Sequence, residues 1–205
     1  MADDPEPGNL AGTKGTLVLG GRSFALSDHR TSPLPAVTLV LGGARSGKSA
    51  YAEELITGLG GGVYLATAEA LDAEMAERIR RHRERRVNSW TTVEEPLDLA
   101  GAIHREAGSR RPILIDCLTL WLSNLMAAER DIEAETRTLT ERLSASPAPL
   151  VVVSNEVGLG IVPASPLARA FRDHAGRLNQ AVAAVAQRVV FIAAGLPLIL
   201  KDAAP

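Results

Sequence analysis

Short apolar runs alternate with stretches in which apolar residues recur every three or four positions along most of this chain. Residues 38–41, 63–66, 90–93, 112–115, 150–154, 189–194 and 198–201 read as strands. Several are apolar throughout, as strands buried on both faces are. Between them, 50–57, 71–86, 97–107, 118–128, 132–143 and 167–188 carry helical spacing. In the second of these helices Leu71, Met75, Ile79 and His82 share one face, while Glu74, Glu77, Arg81 and Arg85 supply a charged one. Glycines at 58–62 and prolines at 147 and 149 mark breaks. Alternating strands and helices predict an α/β fold, a mainly parallel sheet with helices on both faces. The Gly195-Leu196-Pro197 turn predicts a C-terminal antiparallel hairpin strand. No period of roughly 20 to 50 residues recurs, which excludes a repeat architecture.

Residues 1–36 break this pattern. They mix Pro, Gly, Ser and charge and read as a flexible or weakly ordered N-terminal extension, leaving 37–205 as the folded domain. Within the extension, Thr16-Leu-Val-Leu-Gly-Gly21 repeats Thr38-Leu-Val-Leu-Gly-Gly43. The first copy continues through Arg22-Ser23 into Phe-Ala-Leu and has no lysine, so it is no phosphate site; a strand added at a sheet edge is one reading of it.

The second copy continues differently. Gly42, Gly43, Ala44, Arg45, Ser46, Gly47, Lys48 and Ser49 fit G-x-x-x-x-G-K-[ST] between a predicted strand and a predicted helix, the setting of a P-loop. Glycines let successive backbone N–H groups fold around a triphosphate, and the helix adds its positive N-terminal end. Lys48 would reach the β- and γ-phosphates and Ser49 would hold Mg²⁺. Asp116 closes an apolar strand, where an acidic residue would order the same Mg²⁺ beside the loop lysine. The loop that begins with Asn155 and Glu156 leaves a strand at its carboxyl end, on the ligand side of an open sheet, and makes both candidate substrate residues. Its glycines equally suit simple turns.

Composition bounds the partners. The chain has 205 residues, 46% of them hydrophobic, enough for one good core. A net charge of −2 and a pI near 6.1 argue against broad nucleic-acid or anionic-membrane binding. Cys117 is the single cysteine, no apolar run approaches a membrane span, and the acidic, proline-bearing start does not resemble a signal peptide. A cytoplasmic setting is expected. No Asn-Lys-x-Asp guanine clamp is present, and Asp98-x-x-Gly101 and Asp173-x-x-Gly176 match a loose switch pattern inside helical stretches. Around His82 lie six arginines between 78 and 86, a trap for polyphosphate whose charge favours neutral, nucleophilic imidazole. The same histidine also continues an apolar stripe, as a core-edge residue would. His29, His104 and His174 lack such a setting.

Taken together these stretches resemble the bifunctional adenosylcobinamide kinase / adenosylcobinamide-phosphate guanylyltransferase family of cobalamin biosynthesis. The residues carrying the resemblance are the P-loop, Tyr64-Leu-Ala-Thr-Ala68, Asp72-Ala-Glu-Met-Ala-Glu-Arg-Ile-Arg-Arg-His82, Trp90 and Asp116-Cys-Leu-Thr-Leu-Trp-Leu-Ser-Asn124. Ser154-Asn-Glu-Val-Gly-Leu-Gly-Ile-Val-Pro163, Leu167-Ala-Arg-Ala-Phe-Arg-Asp173 and Ala175-Gly-Arg-Leu-Asn-Gln180 complete it. It runs from about 37 to 201. The resemblance implies two reactions: phosphorylation of adenosylcobinamide by ATP or GTP, then transfer of GMP from GTP through a guanylylated histidine, onto which His82 falls. It also implies nucleotide contacts at Thr67, Ala68, Glu69, Arg83, Glu84, Arg85, Arg86 and Glu94, a corrinoid substrate, and a homo-oligomer, a trimer by family precedent. The family's usual His-His pair is Arg81-His82 here. A P-loop small-molecule kinase without guanylyl transfer, or a non-catalytic nucleotide-binding regulator, would share the loop without needing His82.

Overall fold

A computed structural model describes residues 15–19, 22–26, 34–68 and 89–203. The chain forms two compact units, 1–33 and 34–205. In the first, β1 (Gly15–Leu19) and β2 (Arg22–Leu26) pair antiparallel, Gly15 opposite Leu26 and Leu19 opposite Arg22. Thr16–Leu19 is therefore a strand whose ladder partner is β2, not the edge of a larger sheet.

The second unit is built on seven strands: β3 (Val37–Gly42), β4 (Val63–Ala66), β5 (Thr91–Glu94), β6 (Ile113–Asp116), β7 (Leu150–Asn155), β8 (Arg188–Ala193) and β9 (Leu196–Asp202). Their order across the sheet is β5-β4-β6-β7-β3-β8-β9. All its ladders are parallel except β8–β9. The helices between them are α1 (Lys48–Thr57), α2 (Leu99–Ala107), α3 (Leu118–Ala127), α4 (Ile132–Ala145) and α5 (Pro166–Val185). The expected helix over 71–86 lies outside the described residues.

Strand periodicity of two divides the core into two faces. Val37, Leu39, Leu41, Leu65, Ile113, Ile115 and Val152 point to one, where α2, α3, α4 and α5 bury Ile103, Trp121, Leu143 and Leu178 against them. Val40, Tyr64, Leu114, Val151, Val153 and Ile192 point to the other, covered by Tyr51, Ala52 and Ile56 of α1. Burial on both faces is why these strands read as continuous apolar runs.

Local chemistry sets the helix starts. Asp98 accepts from the Gly101 amide at 3.0 Å, so the Asp98-x-x-Gly101 spacing is an N-cap and not a switch motif. Asp131 caps α4 through Glu133 and Ala134. Ser165 caps α5, with Pro166 in its first turn.

The hairpin at the end of the chain departs from expectation in its details. Ala194 and Gly195, both at positive φ, form a two-residue connection of the kind hairpins favour. Leu196 and Pro197 already pair with Ala193 and Ile192, so the turn ends before Pro197. Proline is tolerated there because β9 is an edge strand. Helix α5 stops at Val185, and Arg188 belongs to β8, where its buried guanidinium meets Asp202 at 3.0 Å.

The carboxyl edge of the sheet is where these strands deliver the candidate chemistry. Gly42 lies opposite both Asn155 and Ile192, while Ala66 lies opposite both Asp116 and Glu94. Asp116 in turn faces Val153, two residues short of Asn155.

Candidate functional site

Gly42 ends β3 with φ 152°, and a Cβ built on it would stand 2.4 Å from the Ile192 carbonyl oxygen. Only glycine fits between two strands here. Gly47 takes φ 100° and hands the chain to α1, whose first turn closes with the Tyr51 amide on the Gly47 carbonyl at 3.0 Å. Between them the Ser46 amide donates to Gly43 O at 3.3 Å and the Gly195 amide donates to Ser46 O at 2.9 Å. The Ser46 hydroxyl is enclosed with no hydrogen-bond partner among the described residues. Ala44, Arg45 and Gly47 are exposed, so the crest of the loop is open.

Lys48 is buried, and its Nζ donates to the Gly43 carbonyl across the loop. Its ammonium is thereby held inside the curve of backbone where phosphate oxygens would sit. Ser49 follows at half-burial in the first turn of the helix.

Asp116, at the end of β6, is half-buried, and its Oδ2 accepts from the Tyr64 hydroxyl at 2.8 Å. Tyr64 is itself held by an edge-on contact with Trp90, ring centroids 6.3 Å apart. Next in the chain, Cys117 and Thr67 are locked together: Thr67 Oγ1 donates to Cys117 O at 2.7 Å and accepts from Cys117 N at 2.8 Å. Asn124 Nδ2 donates to Thr67 O at 2.8 Å and to Pro96 O at 3.1 Å, joining the exits of β4 and β5. Burial, reinforced by the Asp116 charge, pushes the Cys117 thiol up to about 11, since both disfavour the thiolate. That thiol stays protonated and unreactive at neutral pH.

Strand β7 lies between β3 and β6, which puts the P-loop strand and Asp116 two ladder steps, about 10 Å, apart. Asn155 ends that intervening strand; its amide donates to Thr119 Oγ1 at 2.8 Å, and its carbonyl accepts from Asn179 Nδ2 at 3.2 Å. The Glu156 amide donates to Gly42 O at 3.0 Å, and its Oε1 accepts from the Gly158 amide at 2.6 Å.

The fold thus brings Gly42 to Ser49, Thr67, Ala68, Glu94, Asp116, Asn155 and Glu156 to one edge of the sheet. Glu69, His82, Arg83, Glu84, Arg85 and Arg86 lie outside the described residues. Tyr64, Asn124, Thr119, Asn179 and Gly195 escaped assignment. Tyr64 and Asn124 stand inside recognisable motifs, but nothing local announces that one bonds to Asp116 or that the other spans two strand exits. Gly195 acts on a loop about 150 positions earlier, for which no sequence signal exists.

The donor set suits Mg²⁺. A hydroxyl on Ser49 and a carboxylate on Asp116 are hard oxygen ligands, and Mg²⁺ bound with phosphates takes one or two such ligands and keeps its remaining waters. Among the described residues no cluster of three or more His, Cys, Asp or Glu forms a cage that would compete with this mode.

A glycine-bound phosphate loop at the head of a helix, a buried lysine inside it and an acidic residue at the end of the next strand but one define a P-loop nucleotide-binding protein. Residues 38–200 match the family model described as cobinamide kinase / cobinamide phosphate guanyltransferase, and the chain belongs to that family of bifunctional enzymes. It is 49% identical over 166 residues to the bifunctional adenosylcobalamin biosynthesis protein CobP of Pseudomonas aeruginosa, covering 80% of this chain and 96% of the relative. To the bifunctional adenosylcobalamin biosynthesis protein CobU of Escherichia coli it is 42% identical over 178 residues, covering 80% and 98%. Among solved structures, the flagellar accessory protein FlaH from Methanocaldococcus jannaschii superposes with a TM-score of 0.47 at 14% identity, over 93% of this chain and 88% of that one.

Proposed function

We propose that this chain phosphorylates adenosylcobinamide and then converts the product to adenosylcobinamide-GDP. The observation that carries the reading is the placement of the P-loop, Asp116 and the Asn155–Glu156 loop start on one sheet edge, in a chain matched by the cobinamide kinase model over 38–200.

In the first step the hydroxyl oxygen of the aminopropanol arm bonds to the γ-phosphorus of ATP or GTP, the β,γ-bridging P–O bond breaks, ADP or GDP leaves and the hydroxyl proton passes to solvent. Lys48 stabilises charge on the β- and γ-phosphates, and the loop amides hold them in line. Ser49 and Asp116 would hold Mg²⁺, which when bound neutralises phosphate charge. Asn155 and Glu156 stand at the acceptor side.

In the second step a ring nitrogen of His82 bonds to the α-phosphorus of GTP and pyrophosphate departs. A phosphate oxygen of cobinamide phosphate then displaces the imidazole, the P–N bond breaks and GMP is transferred. Two displacements replace one crowded attack between anions. Thr67, Ala68, Glu69, Arg83, Glu84, Arg85, Arg86 and Glu94 would bind the guanine nucleotide in this step, following the resemblance. The same resemblance carries a trimeric assembly as part of the proposal, and the composition of the chain carries a cytoplasmic setting; no helix among the described residues is long and apolar enough to cross a membrane.

The deciding experiment is incubation with α-labelled GTP followed by acid and base treatment. Wild type should form an acid-labile, base-stable GMP adduct, and His82→Asn should not, while phosphorylation of adenosylcobinamide persists. An adduct in the His82→Asn protein moves the nucleophile elsewhere. Loss of both activities in the folded variant makes His82 a shared binding residue and overturns the two-step account.

A further inference from the structure

The loop between β7 and α5 holds its shape without its apolar side chains. Its first residue after β7 is tied to the P-loop strand through the Glu156 amide and Gly42 O, and the Glu156 carboxylate accepts from the Gly158 amide. At the far end Arg169 donates to Pro163 O at 2.9 Å and to Ala164 O at 2.6 Å. Polar contacts at both ends thus fix the backbone.

Between these anchors Val157, Leu159, Ile161 and Val162 all face solvent, joined by Leu167 in the first turn of α5. Leu159 is 83% exposed and Ile161 is 97% exposed. Single exposed aliphatics are ordinary, but four within six residues are not, and such a concentration marks a binding surface. None of the four contributes to either buried cluster of the core, so the fold does not account for them.

Where the loop starts decides what it faces. Asn155 is in register with Gly42, so the apolar segment, which starts at Val157, begins two residues beyond the phosphate-binding edge. An acceptor whose hydroxyl meets the γ-phosphate must rest its bulk beside that edge, within a few residues of Glu156. A corrinoid offers apolar surface to such a loop: ring methyls and the methylene stems of its amide arms line a broad macrocycle that bears its reactive hydroxyl on one flexible arm.

We propose that Leu159, Ile161 and Val162 form the platform on which the corrinoid macrocycle docks while its aminopropanol arm enters the phosphate site. The inference rests on the kinase and guanylyltransferase reading and adds the residues that select its acceptor. The platform serves both steps, because adenosylcobinamide and its phosphate present the same ring. It contributes nothing to nucleotide binding, since the P-loop is braced by the Glu156 and Gly195 amides and not by these side chains.

The test uses the full-length chain with Leu159→Ser/Ile161→Ser and, as a milder pair, Leu159→Ala/Ile161→Ala. Four quantities are measured: melting temperature, sedimentation mass, GTP labelling without acceptor, and kinetics with adenosylcobinamide and with its phosphate. The platform predicts unchanged stability, mass and GTP labelling, with KM for both corrinoids raised roughly tenfold per lost aliphatic contact and kcat less affected. The Ala pair should fall between wild type and the Ser pair. Unchanged KM for both corrinoids overturns the platform. A fall in sedimentation mass also overturns it, by showing that a second copy of the chain covers these residues. If wild type turns over no corrinoid while still labelling with GTP, the failure belongs to the functional reading and takes the platform with it.

Discussion

The amide of Gly195 donates to the carbonyl of Ser46 at 2.9 Å, so the tip of the C-terminal hairpin supports the phosphate loop from outside. Gly195 does this at positive φ, a conformation that proline cannot adopt, and proline has no N–H to give. Gly195→Pro should therefore weaken GTP binding about tenfold, the loss expected for one hydrogen bond and some local rearrangement. Gly195→Asn keeps the donor and tolerates positive φ, so its affinity should stay near wild type. Calorimetric titration of both variants checks the pair; equal affinity in all three proteins would remove the hairpin from the account of the site.

Lys48 is buried with its Nζ on Gly43 O, so its aliphatic stem packs while its head serves the loop. Lys48→Met keeps the stem and discards the charge. The variant should fold with wild-type circular dichroism and lose roughly a hundredfold in triphosphate affinity, the scale of a charge-assisted contact to phosphate. GTP affinity unchanged in the folded variant would refute the assignment of the loop.

Tyr64 orients the carboxylate of Asp116 through one hydrogen bond, and residues that orient a metal ligand commonly matter tenfold to a hundredfold for metal affinity. Tyr64→Phe should raise the Mg²⁺ concentration needed for half-maximal phosphorylation by roughly tenfold, with the affinity for metal-free nucleotide little changed. A Mg²⁺ titration of initial rates reads this directly. Identical titration curves would mean that Asp116 does not hold the metal.

The Cys117 thiol titrates at about 11 in the folded protein against an ordinary value of 9.0. A folded-state value raised above the unfolded one leaves the native state fully favoured below pH 9. That advantage is lost as pH climbs from 9 through 11, because the unfolded thiol ionises first. The decline attributable to this group is about 2–3 kcal/mol across that window. Cys117→Ala should have a shallower loss of melting temperature between pH 9 and 11 than wild type. Parallel pH profiles for the two proteins would show that the thiol is not held neutral by burial.

Much of this architecture is written in local pattern. Strands buried on both faces appear as apolar runs, so the sheet, the P-loop and Asp116 could be read directly. The same Thr-Leu-Val-Leu lies in an antiparallel strand at 16–19 and in a parallel strand leading into the phosphate loop at 38–41, and the residues flanking the repeat differ. Beyond the first copy Arg22-Ser-Phe-Ala-Leu26 extends as a strand; beyond the second, Gly47-Lys-Ser turns into a helix. Pro197 misled because proline usually marks a turn, whereas an edge strand admits it. The bonds from Gly195 to Ser46, from Tyr64 to Asp116 and from Asn124 to Thr67 and Pro96 join residues 28 to 149 positions apart. Such pairings depend on strand order, which periodicity does not encode.

The register at the carboxyl edge makes the floor of the site a terrace. Strands β4, β5 and β6 end level with one another at Ala66, Glu94 and Asp116, whereas β3 and β7 continue two residues further, to Gly42 and Asn155. At about 3.3 Å per residue the riser between β6 and β7 is about 7 Å high, comparable to the span of a phosphate with a hydrated cation. The upper tread carries the P-loop and the loop that begins at Glu156; the lower tread carries Thr67, Glu94 and Asp116. No side-chain exchange can level this step, because its height is counted in whole strand residues. Lengthening β6 by one residue would raise the tread and also turn Asp116 to the opposite face of the sheet.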